Sequence, residues 1–157
     1  MTAFRKTSPV GVDKKIDGMQ RYMENHLPDT WGVSSITCLF YGRAELLDEK
    51  NIWYTSGIDY VQLGFDDRYN FVSYFVMDAK SEYNNGRFSN KGFLYCHGKL
   101  DQLYSDVTHS ADEELRQDVL NIIYRFHDTG RILGSEKIND LKHPKHSFRI
   151  ELEILYR

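Results

Sequence analysis

The residues best suited to chemistry in this chain are its histidines, cysteines and clustered acids, and their spacing limits what they can do. His143 and His146 stand three positions apart, a separation that could bring two imidazoles to one metal ion. Pro144 lies between them, and no Cys, Asp or Glu follows before Glu151. A structural zinc site takes four ligands, so the segment reads as a solvated loop and no metal is expected. Cys96 and His97 are adjacent in an alternating run, which sends their side chains to opposite sheet faces and rules out a Cys–His pair from those two. Cys38 also sits in an apolar segment, where a free cysteine is ordinarily buried packing.

The acids read the same way. Asp66 and Asp67 are neighbours between two strand-like runs and suit a turn better than general acid–base work. Asp112, Glu113 and Glu114 fall in the first turn of a helix, where the helix dipole favours negative charge. No G-x-G-x-x-G, P-loop, G-x-S-x-G or H-E-x-x-H pattern is present. The expectation is a non-enzymatic protein without a cofactor. Eleven Tyr, nine Phe and two Trp raise the question of nucleobase stacking. No strand face interleaves basic residues with these rings, so core and interface packing is the expected use.

Composition narrows the class further. At 157 residues, 41% apolar, the chain has material for one core. Twenty Lys and Arg against 23 Asp and Glu, net charge −3, argue against a dedicated nucleic-acid binder. No apolar run approaches the ~20 residues of a membrane span, and no secretory signal follows the first charges. Two cysteines without a framework spacing suit a reduced, cytosolic site of synthesis.

The elements that must position these residues follow from periodicity. Residues 1–10 read as an extended flexible arm and residues 11–157 as a single domain. Val12, Ile16, Met19, Met23 and Leu27 line one helical face, predicting a helix from Gly11 to about His26 that stops at Leu27-Pro28. The period then changes to two. Strands are predicted near Ser35–Arg43, Ile58–Phe65, Asn70–Asp78 and Lys91–Leu100, with a tight hairpin at Asp66-Asp67-Arg68. Apolar residues on both strand faces predict a sheet covered on both sides. Ala79–Asn90 reads as one long hairpin loop carrying Tyr83 and Phe88. Ser110 with Glu113 forms a capping box for a second helix, whose stripe is Leu115, Val119, Ile122, Ile123 and Phe126, with a stop at Thr129-Gly130. A short strand near Arg131–Ile138 and a half-buried strand over Ser147–Arg157 complete the chain. The fold class is α+β: a mainly antiparallel sheet against two helices, in the order α-β-β-β-β-α-β-β.

That order, with Gly11-Val12-Asp13-Lys14-Lys15-Ile16 opening the first helix, Met19-Gln20 within it and Trp31 after it, carries a resemblance. Phe40-Tyr41-Gly42-Arg43, the Asp66-Asp67-Arg68 turn, the helix start at His109-Ser110-Ala111-Asp112-Glu113 and the run from Pro144 to Tyr156 extend it. From about Gly11 to Arg157 the chain resembles the tail terminator and tail-completion proteins, and the head–tail neck-ring proteins, of tailed bacteriophages. The resemblance implies a virion structural protein, assembled in the host cytoplasm, whose identical subunits close into a six- or twelve-fold ring. Its implied neighbours are tail-tube or portal proteins, with DNA passing through the lumen without specific binding. The final strand would then be an open edge for a sibling copy. Tyr83, Arg87, Phe88 and Lys91 on the loop, with Phe4 and Arg5 on the arm, are the expected subunit contacts. Two other classes stand beside it: a small-ligand or peptide module with a pocket lined by Tyr60, Tyr74 and Tyr95, and a metal-dependent hydrolase using Asp59, Asp66, Asp67 and a histidine.

Overall fold

The computed structural model describes residues 8–46, 52–55, 60–63, 68–105, 111–126, 130–138 and 144–157. The architecture is α+β, with a mixed sheet and two long helices. Helix α1 spans Val12–Trp31, strands β1 to β5 span Cys38–Leu46, Ile52–Thr55, Tyr60–Leu63, Phe71–Asn84 and Arg87–Lys99, and a single turn, α2, spans Leu100–Leu103. Helix α3 spans Asp112–Arg125, followed by β6, Arg131–Ile138, and β7, Lys145–Tyr156. The strand order is β3-β2-β1-β4-β5-β7-β6. Strands β4, β5, β7 and β6 form an antiparallel run, whereas β1 lies parallel to β4.

Helix α1 runs past its predicted end. Pro28 lies inside it, and the helix continues to Trp31 because Leu27 and Trp31 are both buried in the core. The terminator is Gly32, which takes φ 66° and donates to Asp29 O while Val33 N donates to Pro28 O at 2.9 Å. That pair of bonds is a Schellman ending, and glycine enters the left-handed region without a Cβ clash. Helix α3 begins at Asp112 with Ala111 before it and no side-chain cap; Ser110, the predicted cap, lies outside the described residues. It ends at Arg125 rather than at Thr129-Gly130, and Thr129 is outside the described residues.

The sheet corrects three further expectations. Strand β2 is an additional element, pairing with β1 through Glu45 and Leu46 and with β3 along its length. The predicted tight hairpin at Asp66-Asp67-Arg68 would have joined neighbouring strands, but β3 and β4 are separated in the sheet by β2 and β1. The sheet is therefore mixed, because the chain crosses two strands before returning. Asp66 and Asp67 themselves lie outside the described residues. Finally, β7 is an interior strand, bonded to β5 on one side and β6 on the other, so the C-terminal strand is not an open edge.

Alternation sorts the side chains between two faces. Phe71, Phe75, Leu94, Cys96, Phe148, Ile150, Leu152 and Ile154 turn toward α1 and α3 and are fully buried with Ile16, Met19, Met23, Leu115 and Val119. The helix approach is set by small residues in the sheet. A Cβ on Gly98 would lie 2.8 Å from Leu115 Cδ2, so α3 seats against bare backbone there. On the opposite face Leu39, Tyr41, Ala44, Val72 and Tyr74 form a second buried cluster. Both faces of the β1–β4 region are thus apolar and covered, as the alternation predicts.

Candidate functional site

The segment Ala79–Asn90 is not a loop. Strands β4 and β5 stay paired to Asn84↔Arg87, leaving a two-residue turn, Asn85-Gly86. Asn85 takes φ 52° and Gly86 φ 81°, the backbone of a type I′ turn, whose twist matches that of the strands it joins. The register jumps between Met77 and Ser81, a bulge that places extra residues on β4. Asn90 closes this bulge from inside. Its amide donates to Asp78 O at 2.9 Å and Lys80 O at 3.1 Å, satisfying carbonyls that the ladder leaves over.

Strand β1 pairs with β4 only as far as Ala44↔Val76, so Met77–Asn84 is a free edge among the described residues. The outer side of β6 is likewise unpaired among the described residues. These two edges lie on opposite flanks of the antiparallel run β4-β5-β7-β6. They carry exposed apolar residues: Tyr83 is 65% exposed on one, and Leu133 is 38% exposed at the β6 bulge.

Aromatic rings cross the end of the run in a row. Tyr83 meets Phe88 at 4.9 Å between centroids, and Phe88 stacks on Tyr156 at 5.5 Å. Next to Tyr156 opens a cleft of about 380 Å³, lined by Gly11, Lys14, Lys15, Arg87 and Arg157 among others. A smaller hollow of about 240 Å³ lies on the sheet face away from the helices, at Phe93, Glu136 and Arg149. There the Arg149 guanidinium sits 4.2 Å from the Phe93 ring centroid, donates to Tyr95 Oη at 3.1 Å and pairs with Glu136.

Buried chemistry is structural in arrangement. His97 bridges Tyr74 Oη at 2.8 Å from Nε2 and Ser147 Oγ at 2.6 Å from Nδ1, with all three residues buried. Burial pushes the imidazole pKa down to about 4, so it is neutral near pH 7, with one nitrogen donating and the other accepting. Ser147 is 1% exposed, which leaves its hydroxyl without access to a substrate. Burial also raises the Cys96 and Cys38 thiols above their ordinary range, the opposite of nucleophile activation. Cys96 faces the helices and His97 the other side, as adjacent strand residues must.

The residues singled out from sequence divide clearly. Tyr83, Arg87, Phe88 and Lys91 are all exposed and lie on the distal hairpin. Phe4, Arg5 and Asp59 lie outside the described residues, as does His143. Tyr74 and Tyr95 stack at 5.3 Å with Tyr74 sealed from solvent, so they pack together rather than face a chamber; Tyr60 is placed in β3, and its side chain is not described. Lys14, Tyr156 and Arg157 escaped notice because three distant segments build the cleft, and no local spacing announces it. Among the described residues, no group of three or more His, Cys, Asp or Glu could hold a metal ion, and no helix is long and apolar enough to cross a membrane. No protein-family model matches this chain, and a search of curated proteins finds no match.

Proposed function

We propose that this protein is a structural subunit that joins identical copies head to tail into a closed ring. The reading is carried by the two free edges on opposite flanks of one sheet. Strands β4, β5, β7 and β6 alternate in direction, so β6 runs opposite to β4. When β6 of one copy meets β4 of the next, the new pair is antiparallel and the alternation continues across the junction. An interface between two different surfaces of the same molecule propagates, and it closes when its rotation divides a full turn.

The edges are offset along the strands. Ile132 stands level with Met77 through Leu152 and Gly92, while Tyr83 lies further out, level with Phe88 and Tyr156. Neighbouring copies would therefore meet with a stagger, taken up by tilting the strands to the ring axis as in closed barrels. Open edges are a hazard to a monomer, and pairing with a sibling removes it. The resemblance of the element order to tail terminator, tail-completion and neck-ring proteins supports reading the ring as a virion part, at the tail end or head–tail neck of a tailed phage, against tail-tube or portal proteins.

The test is solution mass by light scattering, together with electron microscopy of the purified protein and of virions. Six or twelve copies of the 18.5 kDa chain in a closed ring are expected, alone or on the tail. A protein that stays monomeric in solution and is absent from virions overturns the reading.

A further inference from the structure

The cleft beside Tyr156 concentrates positive charge in a chain whose net charge is −3. Lys14 comes from the first turn of α1, Arg87 from the start of β5 and Arg157 from the residue after β7. All three side chains are exposed, and none forms an ion pair among the described residues. Among the described residues, no Asp or Glu side chain lines the cleft. The acid nearest in sequence, Asp13, is instead engaged by the Arg43 guanidinium at 3.1 Å. Cations gathered along one wall repel one another, and an anion between them relieves that cost.

The chemistry of the wall narrows the anion. Tyr156 lines the cleft with Arg87 and Arg157, and from it a row of ring contacts runs through Phe88 to Tyr83. Phosphate-sized positive charge beside ring faces is how proteins track a single nucleic-acid strand, the cations holding the backbone and the rings accepting bases. We propose that this cleft binds the phosphodiester backbone of a single nucleic-acid strand, with Lys14, Arg87 and Arg157 as phosphate contacts and Phe88 and Tyr156 as the adjoining ring surface. The site is complete within one subunit and does not depend on ring formation.

Fluorescence anisotropy with a labelled single-stranded 20-mer tests it. Saturable binding is expected, weakening about 20-fold between 50 and 200 mM salt if three phosphates are engaged. The triple variant Lys14→Gln, Arg87→Gln, Arg157→Gln should lose affinity at least tenfold, with its melting temperature unchanged. Arg87→Gln alone, on an exposed turn-flanking side chain, should shift affinity in the same direction. The control Lys80→Gln, Lys91→Gln, Arg125→Gln removes three exposed cations elsewhere and should lose less than threefold. Absence of saturable binding overturns the proposal, and so does an equal loss in the control. Complete displacement by about 10 mM inorganic phosphate at matched ionic strength assigns the cleft to a free anion and overturns the strand.

Discussion

Trp31 and Asp118, separated by 87 positions, meet at 3.1 Å, with the indole Nε1–H also 2.9 Å from Tyr104 Oη. The Tyr104 hydroxyl donates to the same Asp118 carboxylate, and burial, reinforced by that carboxylate, holds the phenol above its ordinary pKa. One carboxylate thus ties the end of α1 to the residue after α2 and to α3. Removing the hydroxyl with Tyr104→Phe should cost about 1.5–3 kcal/mol, the range for losing a hydrogen bond to a charged group. Trp31→Ala, which also empties a large buried volume, should cost about 3–5 kcal/mol. Urea denaturation of both variants checks the order.

Stability should fall in mild acid through His97. Its folded pKa, about 4, lies below the ordinary value of 6.5, so between these values the unfolded chain binds the extra proton. The contribution is therefore fully present above about pH 6.5 and is lost as pH drops toward 4, amounting to about 3 kcal/mol. Burial lowers His146 as well, adding in the same direction. The His97→Gln variant should flatten the curve of unfolding free energy against pH across that window. An unchanged slope would remove His97 as its cause.

Gly32 isolates a backbone effect. A Cβ there meets nothing within 4 Å, yet φ is +66°. Gly32→Ala should destabilise by about 1 kcal/mol through conformation alone. Thermal melts of this variant should show a modest drop with no change in helix content.

At Gly98 the cost is contact. The added Cβ of Gly98→Ala would come 2.8 Å from Leu115 Cδ2 and 3.2 Å from Leu103 Cδ1. Pushing α3 off the sheet should cost about 1–3 kcal/mol. The double variant Gly98→Ala, Leu115→Ala should recover less than additive loss, measured as a double-mutant cycle.

Charge at either free edge should block assembly without unfolding the subunit. Tyr83→Lys on β4 and Leu133→Lys on β6 each place a cation on a flank that a sibling copy would cover. The expected result is monomeric mass by light scattering for either variant, with an unaltered melting temperature. Rings that persist in both variants would place the junction elsewhere.

Much of the fold can be read from local order. The stripe Ile16, Met19, Met23 and Leu27 is buried as its spacing requires, and so is Phe148, Ile150, Leu152 and Ile154 in β7. Tyr83, Arg87, Phe88 and Lys91, expected at a subunit junction from their aromatic and basic types, are exposed on the distal hairpin. Their setting was not legible. Asn85-Gly86 is a strong hairpin signal, but the polar run around it masked the continuing strands, whose exposed pairing needs no apolar alternation. Pro28 misled because its local preference for stopping a helix is weaker than the burial of Trp31 beyond it.

Periodicity, turn residues and composition determined by themselves the two long helices, the apolar stretches of β1, β4, β5 and β7 and their buried faces, because those depend on neighbours within a few positions. Strand order is different. That β7 lies inside the sheet, that β4 and β6 keep free flanks, and that Lys14, Arg87 and Arg157 share one cleft were decided only by tertiary structure. Each joins residues distant in the chain, and the energy selecting such partners comes from burying whole faces together rather than from any local preference.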